Sequence, residues 1–348
     1  MFNQLVIIGN GFDLAHGLKT TYHDFFIWYL NKIISSIRHQ NQYMYQDKLV
    51  HIENLGELYA SQTITNAEHF ENILRLNETR IKYRPSYLFT KIFASSKIHG
   101  WVDIENMYYE ELIRHTLNVS RGDVNKEKIK QALRELNECF NEIKNQLTEY
   151  LKTIPAPEKN AEIEEHLSAI INKREVCCVL NFNYTSTIDL YHKRTVLGGD
   201  VRSIINIHGD INNEEINPII FGYGDEMDLE YEKMERLNIK EFLVNLKSFW
   251  YFKSANYQDF QKFFWLSRPF EVHIMGHSCG LSDRILLNSI FEHSNCQKIK
   301  IYYHQRGSNK NDNDFFDKTI EISRHFKDKA RMRNLIKDSV PLIKFPTI

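Results

Sequence analysis

The sequence predicts an α/β protein: a parallel sheet of about six strands, wrapped by helices and interrupted by an inserted helical domain. Three observations predict it. Short apolar runs rich in Val and Ile recur, as in strands buried on both faces. Glycines and small polar residues follow most of these runs. A long stretch of helical periodicity separates the first run from the second.

The first run is Leu5–Ile8, "LVII", and it enters Gly9-Asn10-Gly11 directly. Such a strand-to-helix turn has two readings. Its backbone amides can face an anion, or its glycines can let two backbones pack tightly. The later runs are "VCCVL" (176–180), "IINIH" (204–208), "PIIF" (218–221), "VHIM" (272–275) and "IKIYY" (299–303). With helical patterns between several of them, they build a Rossmann-like sheet whose ligand lies at the carboxyl ends of the strands. Cys177 and Cys178 fall inside one strand, so their side chains face opposite sides. A dinucleotide-dependent dehydrogenase is disfavoured, because Leu14 stands where G-x-G-x-x-G requires its third glycine.

Residues 26–170 read as the helical insertion, and residues 1–25 with 171–348 as the sheet domain. "FFIWYLNKIISSI" places Phe26, Tyr29, Leu30, Ile33 and Ile34 at helical spacing. The stretch from Asn125 repeats the pattern with Ile129, Leu133, Leu136, Phe140, Ile143, Leu147 and Leu151, until Pro155 and Pro157 end it. Within the insertion, "WVDIE" (101–105) opens a helix. Its acids either complement the helix dipole or face the ligand cleft. Asp103 and Glu105 diverge by about 200° on a helix. The reading adopted puts Glu105 toward the cleft and Asp103 at the N-cap.

A net charge of −1 gives no basic field for duplex nucleic acid, so no stable nucleic-acid partner is expected. The basic stretch Lys327–Lys337 reads as a solvated helix face. The five cysteines make no C-x-x-C spacing, and no metal site is expected. Leu5–Ile8 is too short for a signal h-region, and no run reaches the length of a membrane span. The expected location is the cytoplasm, away from membranes.

Three strand-end motifs carry the chemistry: "NFNYT" (181–185), "NIHGD" (206–210) and "GHSCGLSD" (276–283). Together with "GNGFDLAHGLKTTYHDF" and "WVDIE", they resemble the AbiH family of bacterial abortive-infection proteins over nearly the whole chain. More distantly, the pattern resembles the sirtuin superfamily. Gly9, Gly11 and Gly17 are similar to the sirtuin phosphate loop, Asn183 to its paired Asn, His208-Gly209 to its catalytic His-Gly, and Gly276 and Ser278 to its later glycine-serine element. Asp13, Lys19 and Thr185 depart from that pattern, and the zinc-binding cysteine quartet is absent, which disfavours deacetylation.

The resemblance implies an enzyme that cleaves NAD, its substrate, to nicotinamide and ADP-ribose, acting as an abortive-infection toxin. The leaving group is already cationic, so the reaction needs orientation and a base rather than a strong acid. Asn183 would orient the ribose or the water, and His208 would be the base. Glu105 would sit near the nicotinamide ribose. Gly9, Asn10 and Gly11 would hold the pyrophosphate through backbone amides. Ser278 and Asp283 would bind phosphate or adenosine hydroxyls, with Asp13, Gly209 and Gly276 completing the substrate-binding set. A phage-derived trigger and self-association are the further partners expected. Two alternatives stand beside this: a non-catalytic NAD or ADP-ribose sensor, and a metal-dependent nuclease using Asp13, His208 and Asp210.

Overall fold

A computed structural model describes residues 2–40, 44–55, 63–75, 81–99, 103–120, 125–171, 177–191, 202–224, 226–266, 268–305 and 312–342. The strands among them are β1 (Asn3–Ile8), β2 (Met44–Gln46), β3 (Val50–Glu53), β4 (Lys82–Pro85), β5 (Cys177–Asn181), β6 (Arg202–Asn206), β7 (Phe270–Met275), β8 (Cys296–His304) and β9 (Ile336–Leu342). The chain forms two compact units. One holds residues 1–19, 154–227 and 246–348; the other holds 20–153 and 228–245.

The first unit carries a six-stranded sheet in the order β6-β5-β1-β7-β8-β9. Every neighbouring pair in it is parallel. Val6 lies opposite Val179 on one side and His273 on the other. The chain winds outward from β1 through β5 to β6, then returns to β1's other side and winds outward through β7, β8 and β9. The winding therefore reverses at β1 and β7, where such sheets bind ligands.

The apolar runs form these strands because both faces are covered. Leu5, Ile7, Cys178, Leu180, Val272 and Ile274 enter one core, with Phe260, Leu287 and Phe291 from the helices Asn256–Leu266 and Arg284–Phe291. Val6, Ile8, Cys177 and Val179 enter the other core, with Phe12, Ile163 and Leu167. Strand side chains alternate between faces, so the two adjacent cysteines belong to different cores.

Two expectations need correction here. In the run Pro218–Phe221, Ile219, Ile220 and Phe221 are buried, but the run is no strand. Pro218 has no N–H to give a ladder, and the segment folds back on the His208 turn, with Ile220 N–H donating to the His208 carbonyl (2.9 Å). The sixth strand is instead β9, "IKDSVPL", whose mixed polarity hides it from an apolar-run reading. Its Pro341 is tolerated because β9 ends the sheet order.

The second unit is largely helical. It contains the helices Tyr22–Gln40, Ala67–Arg75, Tyr87–His99, Ile104–Ser120 and Lys126–Thr153. It also holds a small antiparallel sheet, β2-β3-β4, where only helices were expected. Its boundaries differ from 26–170. The helix Ala161–Ile171 buries Ile163, Leu167 and Ile170 in the first unit's core, and residues 228–245 join the second unit.

Candidate active site at the strand ends

The carboxyl ends of β6, β5, β1 and β7 present His208, Asn183, Gly9 and His277 side by side in the sheet order. The β1 end comes first. Gly9 N–H donates to the Met275 carbonyl (3.1 Å), Gly11 N–H to the Gly276 carbonyl (2.8 Å) and Phe12 N–H to the Gly9 carbonyl (2.8 Å). The expected role of the Gly9 and Gly11 amides in holding a pyrophosphate is therefore corrected: both are spent on the protein's own backbone.

The glycines serve close approach instead. A Cβ on Gly9 would lie 2.6 Å from His277 Cα, and one on Gly276 would lie 2.2 Å from Phe12 N. Gly276 also sits at φ +71°, a conformation that L side chains rarely adopt. These residues zip the β1 turn to the β7 turn. Asn10 remains exposed on the first and Ser278 on the second.

Across from this seam, the β5 end leans on β1. Asn183 is buried, and its Nδ2 donates to the Gly9 carbonyl (3.1 Å). Its backbone N–H donates to Asn181 Oδ1 (3.1 Å), which fixes the turn. Thr185 Oγ1 donates to Asp13 Oδ2 (2.6 Å). Asp13 is 1% exposed, and its Oδ1 has no hydrogen-bond partner among the described residues. Burial outweighs the hydroxyl and amide contacts and pushes the Asp13 carboxyl up to about 6.

The β6 and β7 ends hold a second buried carboxylate. Asp283, just before the helix Arg284–Phe291, accepts a hydrogen bond from Lys247 Nζ at Oδ1 (2.9 Å), and the same oxygen lies 3.0 Å from His208 Nε2, a close charge contact without hydrogen-bond alignment. Its Oδ2 lies 3.6 Å from His277 Nε2. Burial acts to raise the Asp283 carboxyl, but the Lys247 ammonium and the His208 and His277 rings hold it well below the usual carboxylate range. Burial lowers the His208 imidazole, and Lys247 pushes it the same way. Burial also takes His277 down to about 4. His277 Nδ1 accepts from the Cys279 N–H (2.9 Å), so the proton of the neutral ring is on Nε2, toward Asp283. Phe182 packs edge-on against both rings, with centroids 5.1 Å from His208 and 4.3 Å from His277.

Gly209, at φ +92°, permits the return of Pro218, whose carbonyl would lie 2.3 Å from a Cβ there. Asp210 accepts from Ser186 Oγ (3.3 Å) and from the Asn212 N–H (2.9 Å), a turn-stabilising arrangement. Glu105 is buried in the second unit, on the helix Ile104–Ser120. Asp103 caps that helix, its Oδ1 accepting from the Asn106 N–H (3.0 Å). Gly100, Trp101 and Val102 lie outside the described residues. Among the described residues, no group of three or more His, Cys, Asp and Glu side chains could hold a metal ion. Lys247 and His277 carry no local signal: nothing in "NLKSFW" marks a buried lysine, and "GHSCGLSD" does not single out His277 from Ser278 and Asp283.

Residues 5–305 match the family described as "Bacteriophage abortive infection AbiH". The chain belongs to this family. The AbiH match opens inside β1 and closes just after β8, so it includes all four strand-end turns and both buried aspartates. AbiH membership gives the protein a role in phage defence by abortive infection. No curated protein and no solved structure matches the chain significantly. No helix among the described residues is long and apolar enough to cross a membrane.

Proposed function

We propose that this AbiH-family protein defends the cell by hydrolysing NAD at the nicotinamide–ribose bond. The observation that supports this most is the pair formed by His208 and Asp283, 3.0 Å apart and buried, at the strand end beside the one that carries Asn183. A neutral imidazole held against a fixed carboxylate is the arrangement a general base needs. Water attacks the ribose carbon as the carbon–nitrogen bond breaks. Nicotinamide leaves neutral, and the water's proton passes to His208. Asn183 orients the ribose or the water. Asn10 and Ser278 are exposed on the zipped turns, on the side from which the rest of the substrate would approach.

A second reading, a sensor that binds NAD or ADP-ribose without turnover, is favoured by the burial of His208. The Phe182 carbonyl and Asp283 face its ring, so the ring must move or exchange a partner before it takes a substrate proton. Incubation with NAD separates the two readings. Released nicotinamide, together with cellular NAD that falls after induction of the wild type and holds after induction of His208→Ala, supports the hydrolase. NAD that stays intact in both induced strains, with ADP-ribose binding the purified protein, supports the sensor.

A further inference from the structure

Lys247 is 2% exposed, and burying an ammonium costs several kcal/mol unless a partner repays it. Its Nζ lies 2.9 Å from Asp283 Oδ1, the same oxygen that lies 3.0 Å from His208 Nε2. The backbone is built to deliver this side chain. Lys247 N–H donates to the Tyr223 carbonyl (3.0 Å), and Leu246 forms a parallel bridge with Tyr223. A Cβ on Gly224 would come within 3.4 Å of Lys247 Cβ and 3.1 Å of the Ser282 carbonyl oxygen, so the lysine stem passes through a gap that glycine keeps open.

We propose that Lys247 is a positioning residue of the His208 centre, clamping the Asp283 carboxylate between its own ammonium and the imidazole. The charge count explains why a lysine is needed. One ammonium balances one carboxylate, so neither His208 nor His277 has to carry a proton to neutralise Asp283. Remove the ammonium, and the buried carboxylate draws a proton onto an imidazole, which can then no longer act as a base. The charged and titratable groups that act on the carboxylate are Lys247, His208, His277, His325 and Cys279, and Arg284 acts on His325. The role of Lys247 in turnover rests on the hydrolase reading; its effect on His208 does not.

The test is an NMR titration of labelled histidine in the full chain, with the His208 signal assigned by its loss in His208→Gln. In Lys247→Met the His208 midpoint should rise by about one pH unit or more, and in Lys247→Arg it should stay near the wild-type value. If nicotinamide is released by the wild type, Lys247→Met should lower kcat roughly tenfold or more at neutral pH, move the acid limb of the pH–rate profile upward with the His208 midpoint, and change KM little. A folded Lys247→Met whose His208 titrates as in the wild type overturns the proposal. Should Lys247→Met fail to fold, Lys247→Arg decides: a His208 midpoint displaced by about a unit would show that the cation is not what sets it. A wild type that leaves NAD intact defeats the hydrolase reading, and the titration still rules on Lys247.

Discussion

Asp13 and Asp283 are both buried at the carboxyl end of the same sheet, one after β1 and the other after β7. Depth is nearly equal, but the partners differ. Asp283 faces an ammonium and two imidazoles, and its carboxyl is held far below the usual range. Asp13 receives a hydroxyl from Thr185, keeps one oxygen unpartnered among the described residues, and is pushed up to about 6. The difference teaches that burial alone does not decide charge. A buried carboxylate stays ionised when a cation repays its desolvation, and reaches for a proton when only neutral donors meet it.

The largest expected effect breaks the better-paired site. Asp283→Ala strands the Lys247 ammonium and should cost about 3–5 kcal/mol of stability, read by denaturant unfolding at neutral pH. Adding Lys247→Met should recover much of that loss, since the orphaned charge leaves with it. A double variant no more stable than the single would mean that Asp283 supports the fold in some other way.

Next comes the seam between the two turns. Gly276→Ala sets a methyl 2.2 Å from Phe12 N at a positive φ, and should cost about 3 kcal/mol. Because the seam joins the turns that precede both aspartates, the variant should also alter the NMR signals around each of them. A fully stable Gly276→Ala would show that the turns are free to part.

Asp13 gives an effect of opposite sign. Its folded carboxyl holds a proton more tightly than the unfolded chain, whose carboxyl titrates near its ordinary 3.8. The stability from this group is therefore complete below about pH 4 and is lost as pH rises through about 6. Asp13→Asn should raise stability at neutral pH by an amount on the order of 2–3 kcal/mol and flatten that part of the pH profile. If the same variant loses phage protection, the unpartnered oxygen is retained for function at the expense of stability. Asn at this position that destabilises the neutral protein would contradict the contrast with Asp283.

The smallest effect is the control. Asp103, half-buried, accepts the Asn106 backbone N–H through its side chain at a helix start. Asp103→Ala should cost about 1 kcal/mol and leave the pH profile of the first unit unchanged. A loss as large as that of Asp283→Ala would mean that Asp103 does more for the fold than cap this helix.

Much of this architecture was legible along the chain. Leu5–Ile8 and the runs at 176–180, 204–208, 272–275 and 299–303 each lie wholly or partly in a strand of the sheet, because an element covered on both faces must be apolar throughout, and that leaves a local mark. "PIIF" left the same mark, and its Ile219, Ile220 and Phe221 are buried off the sheet, while "IKDSVPL" left none and pairs with β8. Hydrophobicity reports burial, but pairing depends on which backbone groups are free to donate.

The sequence by itself determined the order of the elements, the close-packed glycine turns and the candidate residues at the strand ends, because periodicity, backbone freedom and residue chemistry are properties of short stretches. Only the tertiary structure decided what those residues do to one another. It spent the Gly9 and Gly11 amides on Met275 and Gly276, placed Lys247 beside a carboxylate 36 residues away, and gave Asp13 no cation among the described residues. The physical reason is that charge, hydrogen bonding and desolvation depend on neighbours in space, and at the end of a parallel sheet those neighbours come from strands far apart in the chain.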